Sequence, residues 1–291
     1  MDVSQPLSMA RLERLRAREC RLTSDRALRS LDDAERFLTE RGLLTRFPDS
    51  ALPSLFGACH EAPGRAAGRG FDLWPKTRWI WSFQLARRPG VVLTKLHRGK
   101  SLYLSAETAA VLDPLVRRAM AAATGADLRL LEHLASHGAS MNDDLELELQ
   151  WDRKHLKRAR NRLERVGAVV SDGLVFEDAS NWSFAPMRRW DQVVAEPPRP
   201  PGGDPYADLA MVGMRAAVLA PEAEIQNWFS WPIPAGTVDK LVATGRLTRP
   251  SPGWLAITEA KGHARRDTGG RGGGGRGGVW FHHIEDRCRK T

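Results

Sequence analysis

A repeated local unit constrains this chain more than any other feature. A helical stretch ends in Leu-x-x-x-Gly, and two short strand-forming runs follow around a turn. Leu163 and Gly167 close one copy, and Leu241 and Gly245 close another. A supersecondary unit that recurs is stronger evidence than either copy alone.

The copy between Asp127 and Phe176 is the fuller one. Leu128, Leu131 and Leu134-Ala135 share a helical face, and Gly138 closes that helix. A short helix is predicted over Asn142–Leu149. A third, Asp152–Val166, places Leu156, Ala159, Leu163 and Val166 on one side. Ala168-Val169-Val170 and Leu174-Val175-Phe176 then flank Ser171-Asp172-Gly173, a sequence suited to a tight hairpin. Three helices followed by a two-stranded wing is a winged-helix layout.

The second copy, Tyr206 to Ile257, starts its first helix at Asp204-Pro205. Pro221–Phe229 supplies the second helix and Gly236–Thr244 the third. Arg246-Leu247-Thr248 and Trp254–Ile257 form the wing around Ser251-Pro252-Gly253.

The N-terminal third is a looser variant. Ser30 caps a helix that Gly42 ends, a short helix covers Leu52–His60, and a Trp-rich helix follows Lys76. Val91–Lys95 and Leu102–Ser105 make a hairpin around Arg98-Gly99-Lys100, and Glu107–Ala123 forms a connecting helix.

The resulting division is an Arg-rich N-terminal segment (1–29), a divergent winged-helix-like unit (30–123), a winged helix (124–195), a Pro/Gly linker (196–205), a further winged helix (206–260) and a Gly/Arg-rich tail (261–291). The fold class expected is mainly α with short β-hairpin wings, an α+β arrangement of tandem winged helices.

Net charge matters only by its location. The formal charge of +9 suits a polyanion partner. The tail 261–291 holds eight Lys/Arg against three acids and residues 1–29 seven against four, leaving 30–260 close to neutral. Clustering inside the core therefore has to carry any case for nucleic acid.

No run approaches the roughly 18 consecutive apolar residues of a membrane span, and no apolar stretch follows the N-terminal arginines. A non-exported cytoplasmic, nucleoid-associated protein is expected. Cys20, Cys59 and Cys288 fit no ligand spacing and read as free thiols. His282-His283 reads as solvated tail. No metal or cofactor is expected.

Two clusters of cations stand out. The helix Asp152–Val166 leaves Arg153, Lys154, Lys157, Arg158, Arg160, Arg162 and Arg165 off its apolar stripe. A third helix of this type lies in the major groove while flanking cations hold phosphates. The same cations could instead pair with Asp143, Asp144, Glu146 and Glu148.

Residues 65–100 hold nine Lys/Arg, Lys76 and Arg78 among them, against a single Asp72. Phe71, Trp74, Trp79, Trp81 and Phe83 interleave with these cations, either to stack on bases or to fill the core. The turn Arg98-Gly99-Lys100 is expected to protrude as a contact.

Three phrases carry a family resemblance. They are Asn227-Trp228-Phe229-Ser230-Trp231-Pro232 with the following Val238, Leu241 and Gly245-Arg246-Leu247, then Leu52-Pro53-Ser54-Leu55-Phe56, and Lys95-Leu96-His97-Arg98-Gly99-Lys100. Together they resemble the AlkZ/YcaQ-type DNA glycosylases, a bacterial family of tandem winged helices that acts on interstrand crosslinks and alkylated bases. The likeness extends over residues 28–258 and is similar to an AlkZ-related branch.

The resemblance implies a Gln-x-Gln or Gln-x-Asp pair, just after a helix end, that positions water and stabilises positive charge as the glycosidic bond breaks. Here the matching stretch reads Gly42-Leu43-Leu44-Thr45-Arg46-Phe47, so Thr45 and Phe47 stand at those positions. Phe47 can neither orient water nor stabilise that charge, and Arg46 has the wrong charge. The family's C-terminal β-barrel also finds no counterpart in the Gly/Arg-rich stretch. Isolated Gln84, and His60 beside Glu61, are the remaining candidates for chemistry.

The expectation is a binder of double-stranded DNA, including damaged or distorted forms, without ordinary glycosylase activity. An atypical active glycosylase and a protein-docking module are the alternatives. The sequence does not fix the oligomeric state.

Overall fold

The computed structural model describes residues 8–65, 68–171, 174–176, 182–184, 186–194 and 203–258. Helix α1 (Met9–Glu19) lies in the stretch read as an Arg-rich segment. Its buried Leu12 packs with Leu219 and Ala256 from the far end of the chain. Helix α2 (Leu31–Arg41) begins where Ser30 accepts from the Asp33 amide at 3.1 Å and ends at Gly42, φ 79°, as the sequence predicts.

Strand β1 (Leu43–Thr45) and helix α3 (Leu55–Cys59) follow. The predicted Trp-rich helix is broken. Helix α4 (Trp81–Gln84) is one turn between 3-10 segments Arg78–Ile80 and Leu85–Arg87. Strands β2 (Val91–His97) and β3 (Lys100–Ser105) meet at Arg98 and Gly99, whose φ of 54° and 79° suit a two-residue hairpin turn. The sheet order is β1-β3-β2. Helix α5 (Ala106–Ala121) leads onward.

The middle repeat comprises α6 (Gly125–His137), α7 (Asn142–Glu148) and α8 (Arg153–Arg165), then β4 (Val169–Ser171), β5 (Leu174–Phe176), β6 (Trp182–Phe184) and β7 (Met187–Arg189), with α9 (Trp190–Val193) closing it. Two details correct the sequence reading. Leu128 is 40% exposed, and Leu130 takes its place beside Leu131 and Leu134 in the core.

The strands expected to flank Ser171-Asp172-Gly173 do not pair with each other either, and Asp172 and Gly173 lie outside the described residues. Val169 faces Arg189 and Leu174 faces Phe184, one shared register running through both strand pairs. Each expected wing strand therefore pairs with a later one, and the residues between β5 and β6 lie outside the described residues. A Ser-Asp-Gly signal yields where both flanking strands find partners further on.

The last repeat has α10 (Pro205–Ala217), β8 (Leu219–Pro221), α11 (Glu222–Ile225), α12 (Thr237–Ala243), β9 (Leu247–Ser251) and β10 (Trp254–Ile257). Asp204 caps α10 by accepting from the Tyr206 amide at 2.9 Å, so Pro205 belongs to this helix rather than to the linker. Helix α11 is a single turn, shorter than the expected Pro221–Phe229.

Strand β8 was not anticipated, and it completes the sheet order β8-β10-β9. That is the topology of the first repeat: helix, strand, two helices, then a hairpin whose second strand lies centrally. In the middle repeat the extra strand shrinks to one bridge, Ser140 against Met187. Each repeat's first helix is followed by a residue at positive φ, namely Gly42, Gly138 and Val218.

One apolar core joins the first and last repeats. It runs from Leu43, Leu96, Leu102 and Val116 through Trp190 to Leu209, Trp228, Leu241 and Leu255. Gly213 makes that packing possible, because a Cβ there would sit 2.5 Å from the Trp228 ring. Filling such a contact typically costs about 1–3 kcal/mol. Among the described residues, no helix is long and apolar enough to cross a membrane.

Candidate nucleic-acid interface

Helix α8 starts where Asp152 accepts from the His155 amide at 2.6 Å. Its period puts Leu156, Ala159 and Leu163 inside and leaves Arg153, Lys154, Lys157, Arg158 and Arg165 exposed. Among the described residues these five have no ion-pair partner, and no ion pair joins α7 to α8. Glu148 lies 2.8 Å from His133 instead. Arg162 differs, held by Asp127 at 2.6 Å, which raises its already high pKa.

The hairpin tip departs from expectation. It does not protrude as a free contact. The Leu96 carbonyl accepts from the Ser230 amide at 2.9 Å, and buried His97 reaches the Trp228 carbonyl through Nδ1 at 2.6 Å. Burial lowers the His97 pKa against the raising effect of Trp228 and Asp49, so the ring is neutral at pH 7. Nδ1–H then donates to Trp228, and Nε2 accepts from Arg98 at 3.0 Å. Lys100 pairs with Asp49, and Arg98 lies 3.6 Å from the same carboxylate. Burial would raise the Asp49 pKa, but the hydrogen bond from Lys100 and its positive charge hold it below the usual range.

Arg78 is also engaged. It donates to the Cys59 carbonyl at 3.1 Å and lies over the Trp81 ring. Lys76 is exposed and unpaired among the described residues. Of the cations singled out in the sequence, Lys76, Arg153, Lys154, Lys157, Arg158 and Arg165 are therefore free to meet phosphate.

A cavity of about 210 Å³ opens between the first repeat and α8, lined by Arg46, Phe71, Trp74, Phe83, Lys95, Arg160, Glu164 and Ser171 among others. Sequence reading missed Arg46, Lys95 and Glu164 as a group. Glu164 is 1% exposed, paired with Lys95 and with Arg160 at 2.9 Å, and it accepts from the Ser171 hydroxyl at 2.7 Å. Burial opposes its ionisation, but the two cations and these hydrogen bonds hold its pKa below the usual carboxylate range. A signal existed: Glu164 adjoins Leu163, at the edge of the apolar stripe, four residues after Arg160.

The candidates for chemistry lie elsewhere. Thr45 is 1% exposed, and its hydroxyl bonds the Phe47 carbonyl at 2.8 Å and sits 3.3 Å from that of Pro53. Phe47 packs edge-on against Phe56 at 5.3 Å. Between them, Arg46 lays its guanidinium 4.9 Å from the centre of Trp74, inside the cavity. Gln84 is exposed and outside that lining. His60 closes α3 at φ 47°, with Nε2 2.7 Å from the Arg21 carbonyl.

Cys20 and Cys59 are free and buried, their thiols pushed up by burial to about 11 and about 12. They stay protonated and inert. Among the described residues, no group of three His, Cys, Asp or Glu side chains is placed to hold a metal. Cys288 and His282-His283 lie outside the described residues.

No family model and no curated protein matches this chain. Among solved structures, the Streptomyces sahachiroi DNA glycosylase AlkZ aligns over 88% of this chain and 71% of its own, with TM-score 0.52 and 13% identity. Similarity at that identity speaks to architecture alone: the α+β fold of this chain is similar to that of the AlkZ structure.

Proposed function

We propose that this protein binds duplex DNA, damaged or distorted duplex included, and lacks the glycosylase chemistry of the family it resembles. The division into tandem winged-helix units belongs to the same reading. One observation carries it: Arg153, Lys154, Lys157 and Arg158 share the outward side of a third helix and, among the described residues, pair with no acid. Cations arranged this way neutralise phosphates, and the fold likeness to AlkZ makes DNA the natural polyanion.

The loss of chemistry rests on the cavity. Thr45 and Phe47 turn away from it, and Arg46 occupies the wall between them. A guanidinium there would oppose the positive charge that develops on a sugar as its glycosidic bond breaks. Glu164 is held by two cations and a hydroxyl, so its carboxylate is a poor base and no acid at pH 7.

The test has two arms. Duplex binding should be nanomolar to micromolar at low salt and weaken steeply as salt rises. Alkylated or crosslinked duplex incubated with the protein should yield no abasic sites above background. Binding insensitive to salt would favour a protein-docking role. Alkali-labile strand breaks lost in Gln84→Ala or His60→Ala would establish an atypical enzyme.

A further inference from the structure

The loop between residues 62 and 76 has its own internal ladder. Lys76 donates to the Ala62 carbonyl at 3.1 Å, Gly64 to Trp74 at 2.9 Å and Arg65 to Asp72 at 3.1 Å, and Pro63 bridges Pro75. Glu61 secures the base of the loop, accepting from the Thr77 amide at 2.7 Å and the Arg78 amide at 3.1 Å. Residues 62–65 and 72–76 are thereby held together as a pre-formed surface.

What the loop presents is unusual. Phe71 is 70% exposed and Leu73 51% exposed, although both adjoin an aromatic cluster. The Phe71 ring sits 4.7 Å from that of Trp74. Trp74 in turn contacts Phe56 at 5.5 Å and Phe83 at 5.6 Å, with the Arg46 guanidinium over its face. Phe71 is thus the bare outer member of a stack that is otherwise fixed in the core. Little conformational entropy remains to be lost when something covers it.

We propose that Phe71 is a stacking platform for an unpaired base in a DNA duplex, the base lying at the mouth of the cavity beneath. This rests on the duplex-binding reading above and adds the structural defect being recognised. Charge selects the occupant. Arg65, Arg69 and Lys76, near Phe71 in the sequence, are exposed and unpaired among the described residues, and Arg46, Lys95 and Arg160 against Glu164 leave the cavity walls net positive. An apolar protein partner would have to bury those cations uncompensated, whereas a nucleotide supplies both a π-face and a phosphate. In intact duplex each base face is already covered by its neighbours, so only an unstacked base can use the ring.

The test compares two fluorescent duplexes of one sequence, fully paired or carrying a single-nucleotide bulge, with the full-length protein. The bulged duplex should bind at least about fivefold tighter, the lower end of aromatic stacking on a base. Phe71→Ala should erase that preference while leaving paired-duplex affinity and its salt dependence unchanged, and Phe71→Trp should keep it. Equal affinity of the native protein for both duplexes, or a preference surviving Phe71→Ala, overturns the platform alone. Failure to bind either duplex at low salt overturns the DNA reading beneath it.

Discussion

The hairpin tip at residues 96–100 and the outward face of α8 are both rich in cations, yet the molecule uses them in opposite ways. At the tip, Arg98 and Lys100 share Asp49, and the strand beneath is bonded to Trp228 and Ser230. On α8, Arg153, Lys154, Lys157 and Arg158 meet solvent with no ion-pair partner among the described residues. Positive charge that comes with its own counter-ion serves cohesion within the first repeat, and charge without one is available to a partner. Counting Lys and Arg along a sequence does not separate the two. What separates them is whether an acid from a distant segment arrives.

The comparison can be broken most directly on the helix. Lys157→Glu with Arg158→Glu should weaken duplex binding roughly 30-fold or more at physiological salt and lower the salt slope by about 2, with an unchanged melting temperature. Unchanged affinity in a fluorescence titration would take α8 out of the interface.

A smaller effect, on stability, is expected at the tip. His97→Ala strands the buried Trp228 carbonyl and should cost about 1–3 kcal/mol in denaturant unfolding. Because the folded imidazole titrates below its ordinary value of about 6.5, the unfolded chain takes up protons first as pH drops. This contribution to stability is complete at pH 7 and is lost as pH falls through the folded pKa. A stability-versus-pH curve that His97→Ala leaves unaltered between pH 7 and 5 would contradict the assignment.

The smallest effect sharpens the contrast. Arg98→Ala with Lys100→Ala should change duplex affinity less than about threefold and stability by no more than about 1 kcal/mol, as for exposed ion pairs. A loss of binding equal to that from α8 would mean that Asp49 releases its partners to DNA.

Much of the architecture was legible because it is written locally. Ser30, Asp152 and Asp204 cap helices, Gly42 terminates one, and the Arg98-Gly99 turn fixes a hairpin. What escaped depends on partners far away in the chain. Leu219-Ala220-Pro221 is too short, and too poor in strand formers, to read as a strand until Trp254–Ala256 pairs with it. The N-terminal helix looks like a basic segment except for Leu12, whose neighbours are 219 and 256. The site divides the same way: periodicity exposed the α8 cations, while the meeting of Arg46, Lys95 and Glu164 needed three segments brought together.

The core that spans residues 43 to 255 has a consequence for synthesis. A ribosome releases Leu43, Leu96, Leu102 and Val116 long before Leu209, Trp228 and Leu255 leave the exit tunnel. Until residues 209–255 emerge, the early part of the nascent chain displays a greasy wall with no lining. Such a polypeptide cannot mature piecemeal, and slow translation of its last third would lengthen its exposure to aggregation and its need for chaperones.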